Sequence, residues 1–460
     1  MQSDTGGAFM CSRKIEVFLV AQRVCRWATA LAIVWVAVQP VCAWAAYEDS
    51  LPALKASDVS FLTPDAAIIL AYARSPALSQ AFSQIRKGEA QKDEAKSAYY
   101  PQLSLSGTYG QHGEYVYGPQ LKQLVYDFGR TTGAIRNQTY LTESYRDELM
   151  STVTKVTGDT LLAYSSVKRY QDSVRVTEKM LASLEEVKGI AEYRLNAGLS
   201  SASDALQATS RVAALTTTLE QYRNQLANAK ATLAQLTGRQ VDSLADLPEV
   251  LLQASPQTQG VIDFRSIPSV RSAIAQEKAA DALLGATKAQ HRPTISLSAS
   301  RLHKYERDYN DSVPAWDSQF GVTVDIPIYQ GGAVSARVLQ AHEALEASKA
   351  SINQAWLEVE QKTATALSNW QGAEARVHTS IYQVKIATHT RDVYQEEYKL
   401  GYRSLNDLLS VEQDVFQALS SRSSATFDRY DAVINYAVVQ NTLLQLLGLD
   451  SPTEQSLPDL

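Results

Sequence analysis

The sequence predicts a mostly α-helical chain with a transmembrane β-barrel portion, built from one unit used twice. Three observations predict it. Landmarks recur in the same order, short segments alternate apolar with small-polar residues, and helical stretches are long enough to form a rod-like wall. Tyr100-Pro101-Gln102-Leu103-Ser104-Leu105-Ser106 returns as Arg292-Pro293-Thr294-Ile295-Ser296-Leu297-Ser298. Leu124-Val125-Tyr126-Asp127-Phe128-Gly129 returns as Ile326-Pro327-Ile328-Tyr329-Gln330 with Gly332 and one extra glycine. Gly198-Leu199-Ser200-Ser201-Ala202-Ser203-Asp204-Ala205-Leu206 returns as Gly401-Tyr402-Arg403-Ser404-Leu405-Asn406-Asp407-Leu408-Leu409. Leu233-Ala234-Gln235-Leu236-Thr237-Gly238 returns as Leu443-Leu444-Gln445-Leu446-Leu447-Gly448. A period of roughly 200 residues is too long for a solenoid and reads as a duplicated half-protein.

The chain divides accordingly into a signal segment (1–45), a first repeat (46–238), an inter-repeat segment (239–266), a second repeat (267–448) and a tail (449–460). In the leader, Arg13, Lys14, Arg23 and Arg26 precede an apolar run from Ala28 to Val38, then Pro40 and Ala43-Trp44-Ala45. Basic region, short apolar core and A-x-A site are the order of a secretory signal, whether translation starts at Met1 or at Met10. The run is short of the ~20 residues that a spanning helix needs. All three cysteines, Cys11, Cys25 and Cys42, lie in this leader, so cleavage leaves a chain without thiol chemistry. Gln39-Pro40-Val41 before Cys42 is a poor lipobox.

In each repeat the order is helix, strand pair, long helix, turn, helix. Thr63-Pro64-Asp65 starts a helix to about Ala98; strands follow near 101–110 and 119–128; helices occupy 130–196 and 204–238. In the second repeat the corresponding spans are 267–290, 293–302, 318–328, 333–400 and 404–447. At ~1.5 Å per residue, 130–196 and 333–400 each give about 100 Å. The two shorter helices of each repeat together match their long partner, because the closing helix of the second repeat is about two turns longer than that of the first. Leu215, Leu219, Tyr222, Leu226, Ala229, Leu233 and Leu236 form an a/d seam, the narrow stripe of a thin bundle or barrel wall.

The strand pairs carry the membrane signal. Leu103, Leu105 and Tyr109 alternate with Ser104, Ser106 and Thr108; Ile295, Leu297 and Ala299 with Thr294, Ser296 and Ser298; Phe320, Val322, Val324 and Ile326 with Gly321, Thr323 and Asp325. Leu124, Tyr126 and Phe128 alternate with Gln123 and Asp127. Tyrosines at 99, 100, 109, 115, 117, 126, 305, 309 and 329 crowd the same segments, as interfacial girdles do. Half-buried soluble sheet has the same period, but export and thin-striped helices favour a lipid-facing barrel. Four strands cannot close one, so chains must associate: two copies give eight strands, three give twelve and room for a lumen.

In their order and spacing these landmarks resemble the TolC-like outer-membrane factor family over about Leu62 to Gly448. Leu62-Thr63-Pro64-Asp65-Ala66-Ala67 with Ser75-Pro76-Ala77-Leu78 resembles that family's first helix. Tyr126-Asp127-Phe128-Gly129-Arg130 resembles its strand-to-helix junction, and Asn196-Ala197-Gly198-Leu199 its periplasmic tip. The resemblance implies a homotrimer with a twelve-stranded barrel in the outer membrane of a Gram-negative bacterium, continued by a twelve-helix tunnel through the periplasm. It implies a passive exit duct, serving a periplasmic adaptor (membrane fusion) protein and an inner-membrane ABC exporter or proton-driven pump. Polar links between helix tips would close its periplasmic mouth. By position, the gate and adaptor-docking residues are Gly198, Ser203 and Asp204 in one tip and Tyr398, Gly401, Arg403 and Asp407 in the other.

Those tips also read as capping boxes, Ser201-x-x-Asp204 and Ser404-x-x-Asp407. Where the family's acidic constriction has a second aspartate, this chain has Ser410, with Glu412 nearby. A net charge of −6 argues against nucleic acid. Phosphate-binding and HExxH motifs are absent and the six histidines show no ligand spacing, so neither enzyme chemistry, cofactor nor metal is expected. Type I protein secretion is favoured over small-molecule efflux by analogy alone, from the poor lipobox and the short first hairpin tip. A soluble periplasmic coiled-coil adaptor is the rival from another class.

Overall fold

Residues 61–109, 115–240, 243–253, 264–305 and 315–448 are described by the computed structural model. The leader with its cysteines, His112, Pro256, Tyr309 and the tail after Gly448 lie outside them. The chain opens with β1 (Phe61–Leu62) and two helices, α1 (Pro64–Arg74) and α2 (Pro76–Ser97), where the sequence suggests one. Pro76 lacks the N–H a continuing helix needs and forces Ser75 into extended backbone at ψ 113°, which breaks the helix there. The strand pair β2 (Gln102–Tyr109) and β3 (Tyr115–Tyr126) follows, then the 67-residue α3 (Arg130–Asn196) and α4 (Ala202–Thr237). Short β4 (Ser243–Leu244) and α5 (Glu249–Gln253) lead to the second set. This comprises α6 (Pro268–Lys288), β5 (Thr294–Tyr305), β6 (Ala315–Asp325), the 67-residue α7 (Ala333–Lys399), α8 (Leu405–Val439) and α9 (Leu443–Leu446).

The closing helix of the second set does not run to 447. It stops at Val439 because Asn441 turns left-handed at φ 56° and its side-chain oxygen accepts a 2.6 Å bond from Thr154. Thr442 N–H returns to the Ala437 carbonyl at 2.9 Å, completing the helix stop. At 35 residues α8 is therefore no longer than the 36-residue α4, and the expected length compensation in the second repeat is not made.

β2, β3, β5 and β6 form one antiparallel sheet in that order, leaving β2 and β6 as free edges among the described residues of the protomer. Register sorts the side chains. Leu103, Leu105, Leu121, Leu297, Ala299, Phe320 and Val322 share one face; Ser104, Ser106, Gln120, Lys122, Ser298, Ser300, Gln319 and Gly321 share the other. The apolar face is bare: Leu103 and Leu105 are each 74 % exposed and Phe320 76 %. At its far end Tyr117 stacks on His303, and Arg301 lies over Trp316. The alternation expected for 123–128 is broken. A bulge between Leu124 and Tyr126 leaves Leu124 opposite Ser296 but turns Tyr126 opposite Ile295, on the other face. Gly118 is obligatory, since a Cβ there would stand 2.1 Å from the Arg301 carbonyl oxygen.

Below the sheet, Asp127 caps α3, accepting from Gly129 N–H at 3.2 Å and Thr131 N–H at 2.7 Å. Helices α2, α3, α6 and α7 then stand side by side, and further on α4, α3, α8 and α7 do so. The two long helices span both levels; the short ones exchange partners at a belt. There β1 pairs in parallel with β4, and the Tyr164 hydroxyl reaches the carbonyls of Leu62 (2.9 Å) and Ala245 (2.6 Å). Trp370 and Tyr436 meet edge-on at 5.1 Å in the same core, with Ile68, Leu161, Leu233 and Leu443 buried around them. The α4 seam is used as its spacing suggests: Leu215, Leu219, Ala229 and Leu233 are buried and Tyr222 and Leu226 half-buried. No helix among the described residues is long and apolar enough to cross a membrane.

Candidate functional site: the two helix tips

Both long helices end in the same way, for the same reason. After Asn196, Gly198 takes φ 71°, its N–H bonding Leu195 and that of Leu199 bonding Arg194 at 2.8 Å. After Lys399, Gly401 takes φ 82°, its N–H bonding Tyr398 and that of Tyr402 bonding Glu397 at 2.9 Å. A left-handed residue is what this helix stop requires, and glycine occupies that region without steric cost.

The entries to the next helices differ. Ser404 and Asp407 form a complete capping box: Asp407 N–H donates to the Ser404 hydroxyl at 3.2 Å, and Ser404 N–H to the Asp407 carboxylate at 3.3 Å. The Ser404 hydroxyl also donates to that carboxylate at 2.8 Å. These bonds, then the nearby Arg403 charge, hold the Asp407 carboxyl below its ordinary value. The box expected at Ser201 does not form. The Ser201 hydroxyl pairs with Ser203 at 2.5 Å, which diverts it from the first helical turn and leaves Asp204 outside any cap.

Tyr398 is not a rim residue. It is 3 % exposed, packed with Leu184, Val187, Ala208, Leu405 and Leu408 in the apolar core of the tips. Arg194 lies over its ring and donates to its carbonyl, and the Tyr398 hydroxyl has no hydrogen-bond partner among the described residues. Burial, with the Asp204 charge adding to it against Arg194, pushes that hydroxyl above the usual tyrosine range. Arg403 is engaged within its own helix end: it donates to Glu397 at 2.8 Å and stacks over Tyr394 at 4.4 Å. Glu412 points away from the tip surface and is fully buried between α3 and α8, while Ser410 is exposed. Sequence reading missed Arg194 and Glu397. Each sits four residues before its tip glycine, so aligning the two repeats on Gly198 and Gly401 exposes both.

The family model for outer membrane efflux proteins matches residues 67–239 and 265–447. The chain belongs to that family. As an outer membrane efflux protein it resides in the outer membrane of a Gram-negative bacterium. It is 26 % identical over 389 residues to the outer membrane efflux protein BepC of Brucella suis, covering 82 % of this chain and 84 % of that one. To the outer membrane protein TolC of Escherichia coli it is 23 % identical over 403 residues, covering 78 % and 79 %. To the proteases secretion protein PrtF of Dickeya chrysanthemi it is 23 % identical over 382 residues, covering 72 % and 79 %. Among solved structures, the outer-membrane channel OprN shares its fold with a TM-score of 0.71 at 20 % identity, covering 82 % of this chain and 89 % of that one. The efflux protein's tips are thus the ends of a helical wall whose two halves both match the family.

Proposed function

We propose that this efflux protein is a homotrimeric channel-tunnel and acts as the passive exit duct of a tripartite export system. The sheet carries this reading: it has an apolar face, a polar face and two unpaired edges. In lipid every backbone N–H and C=O must be satisfied, and β2 and β6 can be satisfied only by neighbouring copies. Three copies give twelve strands around a water-filled lumen, with Leu103, Leu105, Phe320 and Val322 toward lipid and the serines inward. The helical wall has matching free sides, α2 and α4 on one flank and α7 on the other, so the same association would close a tunnel. A soluble periplasmic adaptor has no use for such a sheet. Cross-linking the full chain purified in detergent checks the assembly: a trimer that conducts in planar bilayers is expected, and a non-conducting monomer overturns the reading.

The duct serves a periplasmic adaptor docking at the helix tips around Gly198 and Gly401, and an inner-membrane pump behind it. Three copies of Asp407 around the mouth would gather like charge there and draw cations to it. Our preferred cargo route is type I protein secretion, on analogy with relatives of the kind PrtF represents; small-molecule efflux is the alternative, efflux being the word in BepC's name. Trapping the inner-membrane component in cells separates them: an ABC exporter supports secretion, a proton-driven pump supports efflux.

A further inference from the structure

Glu412 sits where a carboxylate is costly. It lies on α8 among the buried side chains Leu408, Leu409, Val411 and Val415, facing α3, and is 0 % exposed. One carboxyl oxygen accepts from the Ser183 hydroxyl at 3.3 Å; the other has no hydrogen-bond partner among the described residues. The charged groups that face it are Glu186 on α3 and Arg391 and Asp392 on α7. Arg391 is committed to Asp392, to which it donates twice, at 2.6 and 3.0 Å. The site therefore offers an anion two acidic neighbours, one cation already shared, and one long hydrogen bond. A neutral acid fits far better, since burying an unpaired charge costs much more than burying a neutral carboxylic acid.

We propose that Glu412 is a protonation latch on the α3–α8 seam: as the neutral acid it keeps the seam dry and packed, and as the carboxylate it admits water and lets α8 part from α3. Burial is the main influence raising its titration range, opposed by Arg391 and Ser183 and reinforced by Asp392 and Glu186. The sign follows: the packed seam holds the proton more tightly than the open one, so packing weakens as pH rises from the ordinary carboxylate range to that of the buried group. Because the seam ends at the tip core of Leu405, Leu408 and Tyr398, its loosening releases the helix ends. The consequence for transport rests on the exit-duct reading; the latch itself does not.

Hydrogen exchange on the full chain purified in detergent, followed from pH 5 to pH 9, tests it. Protection of segments 180–190 and 405–416 should fall with rising pH, by up to ~10-fold per unit, the limit for one proton. Glu412→Gln should abolish that dependence and stay at the wild type's low-pH protection. Glu412→Met, which fills the site without a polar group, should do the same. A flat wild-type profile, or variants that keep the wild-type profile, overturns the latch. Single-channel recording in parallel separates the two readings. pH-dependent protection in a protein that never conducts keeps the latch and sinks the duct; conducting channels with pH-independent protection sink the latch alone.

Discussion

The guanidinium of Arg194 lies 4.9 Å over the ring of Tyr398 and donates a 2.9 Å hydrogen bond to the same residue's carbonyl. One side chain at the end of α3 thus holds the end of α7, across 204 residues of sequence. Arg194→Met should keep the stem packing and lose both polar contacts, loosening the tips by about 1–3 kcal/mol. Faster hydrogen exchange at 394–405, with 150–170 unchanged, is the expected result.

The two tip serines should behave differently although the sequence writes them alike. Ser404→Ala removes a formed cap and should cost about 1 kcal/mol, whereas Ser201→Ala removes none and should cost only a few tenths. Exchange of the first-turn amides of α4 and α8 in each variant checks this.

Asp407 predicts a pH dependence opposite to that of Glu412. Its folded-state value is depressed, first by Ser404, so its contribution is present above the ordinary value of 3.8 and is lost as pH falls through the depressed one. First-turn protection of α8 should therefore decline on acidification, and Asp407→Asn should remove the decline. If the same residue also guards the mouth, Asp407→Ala and Arg403→Ala raise conductance in planar bilayers; unchanged conductance in both leaves capping alone.

Gly118→Ala should block assembly into the membrane, because its methyl would meet the Arg301 carbonyl oxygen at 2.1 Å. Gly107→Ala should assemble, since the nearest atom there, Tyr117 Cβ, is 3.6 Å away. Yield of folded oligomer on gels without boiling distinguishes them.

The faces of the sheet can be tested by one charge placed on each. Phe320→Arg puts a cation on the bare apolar face and should cost about 2–4 kcal/mol if that face meets lipid at mid-depth. Gln319→Arg, one residue away and on the polar face, should assemble normally. Equal yields would deny the lipid assignment.

Much of the architecture can be read from residues alone because local rules govern it. The glycines after Asn196 and Lys399 stop two 67-residue helices where the repeat spacing says they stop, and alternation along 102–109 and 318–325 marks a two-faced sheet. Ser75–Pro76 is legible too, since a proline ends a helix at the residue before it, although a single helix to about Ala98 is the sequence expectation. What tertiary structure decided is which competing local option wins. Asn441 leaves the helix because Thr154, 287 residues away, donates to its side-chain oxygen. Ser201 forgoes its cap for Ser203, Tyr126 is turned off the face of Leu124 by a bulge against β5, and Glu412, on the spacing of Leu405, Leu408 and Val415, is drawn into their seam despite its charge. A sequence encodes the preferences of neighbours along the chain; whether a hydroxyl, an amide or a carboxylate finds a partner depends on groups that only folding brings within bonding distance.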